Sequence, residues 1–99
     1  MSLNNAHEMG YIHNIEEKTY DDGVTITHFE LHYPRATRTD VFPCRVVSRL
    51  CPKRPAEYAK EGDYIVLTGH LTTFGTTSPR LGIEVCWWNH VNPCGSEAS

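Results

Sequence analysis

Apolar runs in this 99-residue chain are only a few residues long, as at Ile65–Leu67. That excludes a transmembrane helix, which needs about 20 consecutive apolar residues. Residues 1–10 lack both a basic segment and an apolar core, so no signal peptide is expected and a cytoplasmic location follows. Basic residues are scarce: nine Lys and Arg face twelve Asp and Glu, for a net charge of −3. A globally basic coat for nucleic acid is thereby excluded, although a local basic face is not. No CxxC pair occurs among Cys44, Cys51, Cys86 and Cys94. Structural zinc sites bring their ligands in close pairs, so free thiols in a reducing compartment are expected, with no metal and no cofactor. Gly-rich phosphate-cradling motifs are missing as well. The consecutive carboxylates Glu16–Glu17 and Asp21–Asp22 lie near turns, where such pairs are solvated, and no motif supports a Cys–His nucleophile. Enzymatic activity is not expected.

What the chain does have is β-forming sequence cut by turn residues. Residues 1–8 read as a flexible polar leader, 9–92 as one domain and 93–99 as a short polar tail. A weak alternation through Tyr11, His13 and Ile15 marks a first strand. Asp21-Asp22-Gly23 is a turn signal. Val24–Tyr33 is rich in Val, Ile, Thr, Phe and Tyr and reads as a second strand, with His28 and His32 on one side. Pro34–Asp40 is a loop, and Val41–Leu50 a third strand whose start Pro43 weakens. Ala56–Lys60 is the only helical stretch, bounded by Pro52 and Pro55 and stopped by Gly62. Asp63–Phe74 and Leu81–Val91 complete the set, separated by a loop. Five strands with one short helix between the third and fourth is the order of the OB-fold. That fold is an all-β, five-stranded barrel whose face binds oligonucleotides or oligosaccharides.

Charge is unevenly placed. Residues 35–54 carry Arg35, Arg38, Arg45, Arg49, Lys53 and Arg54 against Asp40 alone, a net +5, and the rest of the chain carries −8. Such a stretch is suited to neutralising a row of phosphates. Aromatics accompany it: Tyr33 before it, Phe42 within it, Phe74 ending the fourth strand and Trp87-Trp88 in the fifth. Single-strand binding needs both ingredients, cations for the backbone and aromatic faces for unpaired bases. Adjacent strand residues point to opposite faces, and alternation with Val85 predicts Trp87 in the core and Trp88 exposed.

These pieces are similar to a known pattern. Gly10-Tyr11-Ile12, Asp22-Gly23, Phe29-Glu30-Leu31 and the approach Thr39-Asp40-Val41 to Arg45-Val46-Val47 occur in order. Ala56-Glu57 then leads through Lys60-Glu61-Gly62 to Ile65-Val66-Leu67-Thr68-Gly69-His70-Leu71, and Glu84-Val85 closes the set. In this order and spacing the chain resembles the bacterial single-stranded DNA-binding protein family, which includes primosomal replication protein N. The resemblance implies a non-catalytic single-stranded DNA-binding protein of little sequence preference, acting in replication, recombination or primosome assembly. It implies a homodimer or homotetramer and replication-protein partners. RNA is not distinguished from DNA by stacking and phosphate contacts alone. The family pattern makes Arg45 a backbone contact, Phe42 and Phe74 stacking residues, and Arg49 a stacking or phosphate residue. His70 and Thr72 share the face of Phe74. With Tyr33, Arg35, Arg38, Lys53, Arg54 and Trp88, these form the expected nucleic-acid face. The first strand departs from the family's Val/Ile-rich dimer-building segment, and Gly95–Ser99 does not match its long acidic-tipped tail. The alternative reading is an OB-fold assembly module whose aromatics form protein contacts.

Overall fold

The computed structural model describes residues 5–91. Five strands run in chain order: β1 (Ala6–Thr19), β2 (Thr25–Pro34), β3 (Thr39–Val47), β4 (Tyr64–Phe74) and β5 (Arg80–His90), with α1 (Pro55–Tyr58) between β3 and β4. They close into a barrel in the order β1-β2-β3-β5-β4. All pairings are antiparallel except β3 with β5, which pair in parallel at Cys44–Ile83 and Arg45–Glu84. This is the expected OB-fold. Closure between β3 and β5 rests on the two-residue parallel pairing alone. No helix among the described residues is long and apolar enough to cross a membrane.

Boundaries differ from the sequence expectation most at β1, β3 and the helix; β3 runs Thr39–Val47 where Val41–Leu50 was expected. β1 already begins at Ala6, inside the expected leader, because Ala6–Tyr11 pairs with Gly69–Tyr64 of β4. The helix is shorter than expected, four residues with proline in its first turn. Pro43 lies inside β3, on the flank that faces β5 and just outside the two-residue parallel pairing. Such a flank tolerates a residue without an N–H. The expected polar tail, 93–99, lies outside the described residues.

β1 serves two neighbours by bending at its middle. Its register against β2 shifts between His13 and Glu16, and Asn14 adopts φ 58° there. Glu61 holds the bend. Its carboxylate accepts from the Asn14 and Ile15 backbone N–H groups, both at 2.8 Å. These bonds hold the Glu61 carboxyl below the usual carboxylate range. Asn14 also donates through Nδ2 to Glu30 at 2.7 Å.

The interior follows the strand alternation. Ile12, Phe29, Leu31, Val46, Ile65, Leu67, Ile83, Val85 and Trp88 are buried. Each such side chain contributes about 1.5–3 kcal/mol by leaving water. Cys44 and Cys51 are buried free thiols, and Cys86 is an exposed one. Burial pushes the Cys44 and Cys51 thiols up in pKa, so they stay protonated and act as small apolar residues.

Candidate nucleic-acid interface

Strand register lays one row of polar side chains across the outside of the barrel. Glu16 of β1 stands opposite His28 of β2, His28 opposite Arg45 of β3, Arg45 opposite Glu84 of β5, and Glu84 opposite His70 of β4. The row exists because inward positions alternate with these. Phe29, Cys44, Ile83 and Val85 take the buried parity, so His28, Arg45 and Glu84 take the outer one.

Phe74 joins the row from the end of β4. Its ring lies 4.9 Å from the Arg45 guanidinium carbon, a cation–π contact. The His28 ring meets it edge-on with centroids 6.2 Å apart. Gly82 makes the space: a Cβ there would stand 2.5 Å from Phe74 Cε2 and from the Pro43 carbonyl oxygen. A side chain on residue 82 would therefore expel the ring. Beneath it, Arg45 Nη2 donates to Glu84 Oε1 at 2.6 Å. Arg45 Nε–H is buried and finds no acceptor among the described residues. An unmet buried donor costs about 1–3 kcal/mol, so this arrangement is not arranged for stability alone.

The other predicted residues fall in two further places. Tyr33, Arg35 and Arg38 gather at the β2–β3 connection. The Arg35 guanidinium sits 5.7 Å from the Tyr33 ring centroid, and Arg35 and Arg38 both pair with Asp40, Arg38 at 3.2 Å. The Arg35 hydrogen bond holds the Asp40 carboxyl below its ordinary range. Arg49, Lys53 and Arg54 lie in the connection from β3 to α1. Arg54 donates to Glu17 at 2.7 Å and pairs with Glu57 at 3.1 Å. Lys53 donates to Asn89 at 3.1 Å and stands 4.3 Å over the Trp88 ring. Arg49 is exposed and its side chain has no partner among the described residues. The +5 stretch is thus partly neutralised within the fold: Asp40, already counted in it, serves both Arg35 and Arg38, while Arg45 meets Glu84 and Arg54 meets Glu17 and Glu57 from outside it.

Two expected site residues point inward instead. Trp88 is 1% exposed and Trp87 is 50% exposed, the reverse of the sequence expectation. A β-bulge is the reason. Thr68 pairs with Trp87 but Gly69 pairs with Val85, so Cys86 is an extra residue and the alternation flips after it. Trp88 Nε1 donates to the Lys53 carbonyl at 2.8 Å, which satisfies the buried indole. Phe42 pairs with Leu31, shares the parity of Cys44 and Val46, and packs half-buried against the core. Its ring packs against the core, whereas the Phe74 ring lies on the outer face against Arg45 and His28. His28, Glu84, Gly82 and Trp87 were missed by sequence reasoning. Cross-strand register alone brings the first three to Arg45. Trp87, with Cys51, Pro52, Lys53, Tyr58 and Cys86, lines a separate surface groove of about 600 Å³.

A closed five-stranded barrel with a helix between its third and fourth strands places the chain in the OB-fold class. Among solved structures, it is similar to one described as the dimeric structure of the N-terminal domain of PriB from Thermoanaerobacter tencongensis. The TM-score is 0.73 at 18% sequence identity, covering 93% of this chain and 100% of that one. No family model matches the sequence. No curated protein matches it either. At this identity the likeness is one of fold.

Proposed function

We propose that this chain is a non-catalytic binding protein for single-stranded DNA, acting in the cytoplasm in replication, recombination or primosome assembly. The observation that carries the reading is Phe74 held over Arg45 on the outer face of β2, β3 and β5. A ring for an unpaired base and a guanidinium for the adjoining phosphate then stand side by side, as single-strand recognition needs. Tyr33 with Arg35 repeats the pairing at the β2–β3 connection. The likeness to a PriB domain supports the same reading through shared fold. Exposed Arg49 supplies a further cation. RNA is accepted by the same chemistry.

Exposed Met9, Tyr11 and Trp87 favour a second element of the reading, self-association into a homodimer. Met9 pairs with Val66 and Tyr11 with Tyr64, which extends one apolar surface across the outside of β1 and β4.

The test is anisotropy of a labelled thymidine oligomer titrated with the protein at low and moderate salt. Saturable binding that weakens with salt is expected. A flat titration at low salt, with the protein folded by circular dichroism, overturns the reading in favour of a protein-assembly module.

A further inference from the structure

Arg45 is held in a half-filled state. The Nε–H and one Nη2–H of an arginine form a parallel fork that matches the two oxygens of a carboxylate or a phosphate. Here Glu84 fills one tine at 2.6 Å through a single oxygen. The other tine, Nε–H, is buried without an acceptor. Phe74 lies across the guanidinium, seated in the slot that Gly82 leaves. A side-chain carboxylate therefore occupies part of the position where a ligand anion would bind, and it does so with only half of the available bonding.

We propose that Glu84 is an internal stand-in for phosphate that closes Arg45 in the free protein and sets its selectivity. The proposal rests on the nucleic-acid reading above. A phosphodiester displaces Glu84 because its two non-bridging oxygens fill both tines, which Glu84 does not. A lone weak anion that engages one tine gains nothing over Glu84. Arg45 thus responds best to a phosphate delivered at high local concentration by a strand already stacked near Phe74, and stays shut to monatomic anions such as chloride. The cost is affinity, since part of the strand's binding free energy goes into breaking the Arg45–Glu84 pair.

The experiment compares the wild-type chain, Glu84→Gln, Arg45→Gln and the double variant, each titrated with a thymidine oligomer and checked for folding by circular dichroism. Glu84→Gln is expected to bind roughly tenfold tighter, the scale of one charge-assisted hydrogen bond no longer broken. That gain is expected to vanish in the Arg45→Gln background. Gain that persists there is a general charge effect and overturns the proposal. Wild-type binding with Glu84→Gln equal or weaker also overturns it, while leaving the nucleic-acid reading intact. Absence of binding by every variant overturns that reading and this proposal together. A readout on the wild-type chain needs no substitution: the Arg45 Nε–H proton resonance moves downfield when the oligomer is added. An unmoved resonance at saturation overturns the proposal.

Discussion

Gly69 of β4 and Glu84 of β5 touch through their backbones so closely that a Cβ on Gly69 would stand 2.1 Å from the Glu84 carbonyl oxygen. The contact sits beside the bulge at Cys86, where the register of β4 against β5 shifts. It therefore fixes two things at once: where Glu84 lies relative to Arg45, and which tryptophan enters the core. Gly69→Ala is expected to cost about 1–3 kcal/mol or more, because backbone and not a flexible side chain must move. Urea unfolding monitored by circular dichroism checks this. An unchanged midpoint would mean that the strands slide apart without penalty.

The bulge also predicts unequal tryptophans. Trp87→Phe leaves the buried Trp88, whose emission should be blue-shifted and barely quenched by iodide. Trp88→Phe leaves Trp87, with red-shifted emission and strong quenching. The two single-tryptophan variants, measured side by side, decide the matter. Equal quenching would remove the bulge from the account.

Much of the architecture was legible because β-branched residues and turn residues punctuate this chain clearly. Asp21–Gly23 and Gly62 mark connections that the barrel keeps, and the expected Pro34–Asp40 loop narrows to residues 35–38 because Pro34 pairs with Thr39 and Tyr33 with Asp40. The site was harder. Arg45 was legible through the family pattern, and the structure sets it on the outer parity, between buried Cys44 and Val46. The parity of those two buried residues places Phe42 inward, against the stacking role that the family pattern implies for it. Trp87 and Trp88 lie beyond the bulge, which no local residue pattern announces. Gly69 is its one visible trace. The neutralising partners of the basic stretch come from distant positions: Glu17 to Arg54 and Glu84 to Arg45. Net charge along the sequence counts cations, but only register decides which of them are already paired.

Acid should loosen the β1 bend. The Ile15 and Asn14 backbone N–H groups hold Glu61 below its ordinary value of 4.5. A carboxyl with a depressed folded pKa contributes stability that is fully present above its unfolded value. That contribution is lost as pH falls through the folded pKa. Asp63 adds to it, lowered by the Lys60 backbone N–H and by His90, and so does Glu30, lowered by His32 and Asn14. Unfolding midpoints are expected to be level near neutrality and to fall below roughly pH 4.5, the unfolded carboxylate range. Glu61→Gln is expected to lower the neutral-pH midpoint and flatten the acid slope. A slope as steep as that of the wild type would show that Glu61 carries none of it.

Three substitutions separate stacking, phosphate contact and core packing. Phe74→Ala is expected to weaken oligomer binding by about 1–3 kcal/mol, the range for one base–aromatic stack, with the salt slope unchanged. Arg45→Gln is expected to lower the slope of log affinity against log salt by about 0.7–0.9, one phosphate's share of released counterions. Phe42→Ala behaves differently, because Phe42 packs against the core beside Leu31. Its cost is expected in the urea midpoint, with oligomer affinity of the folded fraction little changed. Salt titrations of the folded variants, paired with unfolding curves, distinguish all three. If Phe42→Ala lost affinity as Phe74→Ala does while keeping its stability, the outer face of β2, β3 and β5 would not be where the strand lies.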